Sequence, residues 1–310
     1  MGEKGEPKMI RRCAVVVLAF LAFGLLSGPL ESADYSCTNC FDSISSGGGF
    51  SCAVRTDGSI SCWGIGSSGE TDPPVLLPSY EYAQVSAGAS YACALFNCDP
   101  TPAALCPINN VVCWGSDGSG PVSDIPGDKM SQVSAGLGHS CGVRMDGSIA
   151  CWGSDSSNQS TPLAPPANSV YSQVSAGGFH TCAVSTCTSA PCPPTTVTCW
   201  GSNSFGQSTV PPSSGPFTQV AAGSNFTCGI ETDGSVSCWG YGVWGQTSPP
   251  AGSFLQISAG LNHACGVKAD GSVACWGAND DGESTPPSGS FLQVSAGSAF
   301  SCGVRTDGSI

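Results

Sequence analysis

Positive charge is scarce in this chain: nine Lys and Arg stand against 22 Asp and Glu in 310 residues. Beyond residue 33 only Arg55, Lys129, Arg144, Lys268 and Arg305 are basic. Such an acidic surface repels phosphate backbones and has no basic patch from which to release counterions, which excludes nucleic acid as a partner. Helical periodicity over three or more turns is confined to the N-terminus, so the reading turns to an all-β protein. Long apolar runs are also lacking, apart from one of about 15 residues from Cys13. It follows Lys4, Lys8, Arg11 and Arg12 and leads through small residues to Ala33. This reads as a secretory signal peptide over residues 1–33, with an uncleaved anchor as the alternative. Once it is cleaved, no stable membrane span is expected.

What the chain has in plenty is glycine (42), proline (23) and cysteine (20). That much Gly and Pro between short apolar runs suits a protein of many strands and turns. Twenty cysteines behind an export signal read as a disulfide framework, placing the protein outside the cell, at its surface or in a periplasm.

The chain also repeats itself. Gln-Val-Ser-Ala-Gly or a close variant starts at Gln84, Gln132, Gln173, Gln219, Gln256 and Gln293, at intervals of 48, 41, 46, 37 and 37 residues. A weaker copy begins at Phe41, after a short N-terminal segment 34–40, so residues 41–310 hold seven units. Each unit predicts three short strands: QVSA, a second strand through a cysteine to Val-Arg, and a third ending in Cys-Trp-Gly. Asp-Gly turns join the second and third. With Thr56-Asp57-Gly58 as a three-residue loop and Gly58 left-handed, Arg55 faces Ser59. Counting back in twos places Cys52 opposite Cys62 at a non-hydrogen-bonded pair, within disulfide reach.

The same spacing predicts Cys141–Cys151, Cys228–Cys238 and Cys265–Cys275. Two longer units give nested pairs, Cys98–Cys106 within Cys93–Cys113 and Cys187–Cys192 within Cys182–Cys199. Cys37, Cys40 and Cys302 remain, and a structural bridge or a link to Cys302 is expected for Cys37-Thr-Asn-Cys40. A lone three-stranded sheet cannot bury both faces. Seven arranged radially can, so the expected fold is an all-β, seven-unit β-propeller with cross-strand disulfides, its last unit incomplete, and an open stack as the alternative. The Trp of each CWG (63, 114, 152, 200, 239 and 276) is expected to fill the space between blades.

The pattern QVSAGxxHxCGVxxDGSxxCWGxNxxGQxxPP resembles the repeats of the regulator of chromosome condensation superfamily, which form seven-bladed propellers. Its short unit is similar to that of the exported bacterial propeller inhibiting β-lactamases, and its paired cysteines to the ectodomain of Crinkly-type plant receptor kinases. The resemblance implies a fold and leaves function open, because members range from exchange factors to inhibitors and receptors. The seventh unit stops in mid-hairpin at Ile310. Borrowing Tyr35-Ser36-Cys37 as its third strand leaves only four residues to reach Phe41, about 13 Å when extended. A truncated chain is therefore expected over a closed ring.

Chemical motifs fare less well. Gly138-His139-Ser140-Cys141-Gly142 matches a nucleophile elbow in letters but enters a strand, where other units place Ser51, Ala92, Thr181, Thr227, Ala264 or Ser301. His139, His180 and His263 share a slot with Phe50, Tyr91, Phe226 and Phe300, which argues for packing over a metal site. Asn279-Asp280-Asp281-Gly282-Glu283 lacks the order of a calcium loop and reads as a solvated turn. No cofactor or metal is expected. The variable loops after CWG carry Phe205, Tyr241 and Trp244, the last being the one Trp outside a CWG. Such loop aromatics on repeated scaffolding are the binding candidates, with the inserted tips 98–106 and 187–192 as a second surface. The expectation is a monomeric, non-enzymatic propeller that binds an extracellular protein or glycan. The alternatives are a structural surface protein and a polysaccharide-active enzyme, which would need a carboxylate pair near the axis.

Overall fold

The structure, a computed structural model, describes residues 40–77, 80–98, 109–191, 195–212 and 214–310. The expected signal peptide, the segment Tyr35-Ser36-Cys37 and the expected bridges Cys98–Cys106 and Cys187–Cys192 lie wholly or partly outside these residues. Among the described residues no helix is long and apolar enough to cross a membrane.

Each repeat becomes one antiparallel sheet. Blade one comprises an inner strand Phe41–Ser46, a middle strand Phe50–Arg55 and an outer strand Ile60–Gly64. Five further three-stranded blades follow, and the seventh has two strands, Phe291–Ala296 and Ser301–Arg305. The hairpin register is the one the spacing predicts. Arg55 accepts Gly58 N–H at its carbonyl and gives its own N–H to Ser59, and Gly58 has a φ of 79°. Cys52 then lies opposite Cys62 with Cα atoms 4.1 Å apart. The Asp57 carboxylate accepts the Ser59 N–H at 2.9 Å and its hydroxyl at 2.6 Å, which locks the turn. Cys93–Cys113, Cys141–Cys151, Cys182–Cys199, Cys228–Cys238 and Cys265–Cys275 repeat the bridge, and Cys40 and Cys187 are also disulfide-bonded.

Side chains on the faces of neighbouring sheets fill the space between blades. Phe50, Cys52 and Val54 of blade one pack on Tyr82, Val85 and Ala87 of blade two, with Trp114 closing the cluster. Trp114, Trp152, Trp200, Trp239 and Trp276 are buried, and each donates its indole N–H to a carbonyl in the loop of the preceding blade: Glu70, Pro121, Gln159, Gln207 and Gln246. Trp63 departs from the expected interior position and is 37% exposed.

The inner strands close the ring, whereas the reach of the N-terminal segment favours a truncated chain over a closed ring; the seventh unit has two strands, as its incomplete sequence predicts. The correction has a specific cause. Closure runs through the inner strands, whereas the reach argument concerned an outer one. Three interblade ladders hold the inner strands together. In the first, a glutamine side chain takes the backbone N–H and C=O of the next blade: Gln84 on Val133, Gln132 on Val174, Gln173 on Val220, Gln219 on Ile257, Gln256 on Val294 and Gln293 on Ile44 of blade one. Ser43 stands where blade one would need its glutamine and is too short. The second ladder uses serine hydroxyls, such as Ser45 accepting from Ala87 and Ser295 accepting from Ser46, and it breaks where Ala221 replaces serine.

The third ladder runs all the way round. Gly48, Ala89, Leu137, Gly178, Ser224, Leu261 and Ser298 each donate a backbone N–H to Gly88, Gly136, Gly177, Gly223, Gly260, Gly297 and Gly47, at 3.0 to 3.3 Å. A β-carbon on any of these acceptor glycines would run into the carbonyl of the next one, which is why the repeat says Ala-Gly. Of the two alternatives for Cys40, the link to Cys302 is excluded, since Cys302 is a free thiol while Cys40 is disulfide-bonded.

Candidate binding face

The loops joining inner to middle strands and the loops leaving the CWG strands emerge on one face. Backbone bonds tie the two sets: Ser202 N–H to the Phe179 carbonyl and Tyr241 N–H to that of Asn225. The Asp-Gly hairpin tips lie on the other face, as antiparallel order requires.

After CWG the chain bends at a glycine with positive φ, 95° at Gly201 and 103° at Gly240. It then wraps a buried glutamine. Gln207 accepts the Phe205 N–H at 2.9 Å, and Gln246 accepts that of Trp244 at 2.9 Å. Both glutamines have no exposed surface, so the loops are pinned from inside while Phe205 and Trp244 stay half exposed, at 50% and 51%. The Phe205 ring meets Tyr241 of the next blade edge to face, 5.0 Å between centroids. The structure therefore brings Phe205 and Tyr241 together. Trp244 stands one blade on, at the position equivalent to Phe205, beside exposed Val243.

Sequence reasoning missed the rest of this face. Leu137, Phe179 and Leu261 are exposed in the loops after Ala-Gly. Their signal was the variable pair between AG and the His or Phe of the middle strand. It also missed the buried glutamines, whose counterparts Glu70 and Glu283 accept the Ser68 and Asp281 N–H groups in the same way.

The histidine slot is a packing slot with added chemistry. His139, His180 and His263 are fully buried, and their Nε2 atoms lie 2.8, 2.8 and 2.9 Å from Thr181, Thr227 and Ser301 of the next blade. Those hydroxyls donate to the Gln159, Gln207 and Glu283 carbonyls, so they must accept from Nε2–H. Nδ1 is left as a buried acceptor without a partner in all three. Burial pushes His139 down to about 4 and His180 to about 3, with like charge on His139 adding to the latter, and burial also lowers His263. All three are neutral near pH 7. Tyr91 fills the slot in blade two and meets Ser140 at 2.9 Å, so the serine of the apparent elbow sits in a strand as a packing partner.

The axial cavity, about 210 Å³, is lined by glutamines, serines and small apolar residues of the inner strands, with no carboxylate or histidine among the described residues there. Among the described residues no three His, Cys, Asp or Glu are grouped to hold a metal. Glu283 in the acidic turn is buried, and its carboxylate is used on the Asp281 backbone.

Residues 41–70, 130–159, 217–246 and 254–283 match the family described as Regulator of chromosome condensation (RCC1) repeat. Among curated proteins, the serine/threonine-protein kinase-like protein CCR2 of Arabidopsis thaliana is 27% identical over 123 residues, 36% of this chain and 16% of that protein. The chain thus spans about a sixth of that relative's length. The CRINKLY WD40 ectodomain of the Arabidopsis thaliana receptor kinase ACR4 is 26% identical, with 88% of this chain and 96% of that one covered and a TM-score of 0.65. The entire ectodomain of the Physcomitrella patens receptor kinase CR4 is 26% identical over 77% of this chain and 62% of that one, with a TM-score of 0.62. The chain is a seven-bladed β-propeller in which four blades match RCC1 repeats, and it is similar to the ectodomains of Crinkly-type receptor kinases.

Proposed function

We propose that the protein is a secreted, non-enzymatic recognition module that binds an extracellular protein or glycan through the face bearing Phe205, Tyr241 and Trp244. The observation that carries this reading is the pinning of those loops. Half-exposed aromatics are held on buried glutamines, so little entropy is lost when a ligand orders them. Six disulfides among the described residues and the ectodomain relatives support an extracellular setting. The uncharged axis supports binding over glycoside hydrolysis, which needs two facing carboxylates.

The test is capture from native extracellular fluid and on a glycan array with oxidised residues 34–310, beside F205A/W244A. A ligand retained by the native protein and lost by the variant supports the reading. Both side chains are surface groups, so the variant should keep its stability within about 0.5 kcal/mol. Equal capture by both proteins would move the site elsewhere, with the hairpin-tip face next.

A further inference from the structure

We infer, on the reading that the protein is secreted, that Asn158 in the loop after the outer strand of blade three is an acceptor for an N-linked glycan. Asn158-Gln159-Ser160 has the form that this modification requires, an asparagine two residues ahead of a hydroxyl with no proline between. The fold shows how the site arises and why it is open. In blades one, four, five and six the loop after CWG places a glycine just before its buried Gln or Glu: Gly69, Gly206, Gly245 and Gly282, with φ of 79 to 84°. Blade three places Asn158 there, with φ of 61°. Asparagine is one of the few side chains that enter this left-handed region readily. A β-carbon on any of the four glycines would meet nothing within 4 Å, so a side chain at this position projects into free space. Asn158 is exposed, and among the described residues only its backbone is hydrogen-bonded, its N–H to the Asp155 carbonyl and its carbonyl to the Thr161 N–H. The hydroxyl has its own structural origin. Ser160 donates to the Ser154 carbonyl at 2.8 Å, as Ser208 and Ser284 donate to Ser202 and Ala278. The repeat thus supplies the serine, and one exchange of Gly for Asn completes the acceptor.

A second sequence of the same form, Asn225-Phe226-Thr227, is placed differently. Asn225 is half-buried and donates Nδ2–H to Ser224 Oγ at 3.3 Å, and the Thr227 hydroxyl is buried between His180 and the Gln207 carbonyl. Thr227 adjoins Cys228, so closing the Cys228–Cys238 bridge withdraws it from an enzyme. Asn158 and Ser160 lie in a loop outside their hairpin bridge, Cys141–Cys151, and stay accessible for longer. In the transfer, the Asn158 side-chain nitrogen attacks the anomeric carbon of an oligosaccharide carried on a polyprenyl diphosphate. A C–N bond forms, the sugar C–O bond to the diphosphate breaks, the amide gives up one proton and the lipid diphosphate leaves. Ser157 is the counterpart of Phe205 and Trp244, so Asn158 stands on the same face, one blade before Phe205. A sugar there keeps a partner from packing closely on the loop of blade three. Blades four and five, with Phe205, Tyr241 and Trp244, remain open to contact.

The full chain is expressed in eukaryotic cells twice, with its own N-terminus and behind a vector-supplied secretion signal, beside N158G, S160A and G206N. Glycopeptide mass spectrometry before and after treatment with peptide N-glycosidase reads each site. Most exported molecules should carry a glycan on Asn158, with lower occupancy at Asn225. The glycan on residue 158 should vanish in S160A, which leaves the asparagine in place, and in N158G, which copies the loop of Gly206 and so keeps the fold. G206N completes the same acceptor in blade four, ahead of Gln207 and Ser208, and should add a glycan there. Export only behind the vector signal would refute the secretion reading and still test Asn158. An unmodified Asn158 in exported protein, or a glycan confined to Asn225, would overturn the proposal.

Discussion

At the scale of single residues, the slot before each hairpin cysteine obeys a pairing rule across blades. His139, His180 and His263 face Thr181, Thr227 and Ser301, and Tyr91 faces Ser140. Phe50 and Phe226 instead share their clusters with Ala92 and Ala264. A polar ring needs a hydroxyl on the next blade because its donor is buried; a phenyl ring needs only room. T227A should therefore lose about 1–3 kcal/mol by stranding the His180 Nε2–H. H180F/T227A should return most of that loss, since it copies the Phe226–Ala264 pair. Urea unfolding of the two single variants and the double one measures the coupling, and strictly additive losses would refute the pairing. The letters show a slot shared by His, Tyr and Phe, which marks it as packing. They do not show the partner, because it lies 38 to 49 residues away on another sheet.

At the scale of elements, the hairpin and the interblade ladder have different origins. Hairpin register follows from a three-residue turn and a period of two, both local, so the six observed bridges could be read from spacing alone. Replacing Cys228 and Cys238 by Ala should lower stability by about 2.5–3 kcal/mol on the chain-entropy account, since a short loop is freed in the unfolded chain. Thermal melts of C228A/C238A measured beside the native protein check this. The repeated glutamine of QVSAG was visible as a letter but not as a clamp. Its side-chain amide serves a backbone that would otherwise bury an unpaired N–H and C=O. In Q219A the Ile257 amide loses its acceptor. Stability should fall by about 1–3 kcal/mol, and hydrogen exchange at Ile257 should quicken more than at Val294, whose clamp on Gln256 is intact. The loop glutamines Gln207 and Gln246 act in the same manner, and they are what make Phe205 and Trp244 fixed projections.

At the scale of the whole molecule, the buried histidines set an acid limit on the ring. Their folded values, about 4 for His139 and about 3 for His180, lie below the ordinary 6.5. Between those values the unfolded chain binds more protons than the folded one, so stability falls as pH falls. Their contribution is complete above pH 6.5 and is lost progressively toward pH 3. The melting temperature should be flat from about pH 7 upward and decline below about pH 6, and H139F/T181A/H180F/T227A should flatten that decline. A decline as steep in this variant would place the acid sensitivity in the carboxylates. By itself the sequence determined the all-β class, the seven units, the hairpin register and its disulfides, because each rests on contacts within one repeat. Tertiary structure alone decided that the ring closes, that Cys302 is free, and which loop aromatics share a face. Closure is the sum of seven small rotations between blades. It is carried by glycine carbonyls and glutamine clamps such as Gln293 on Ile44, 249 residues apart, and no local period encodes that sum.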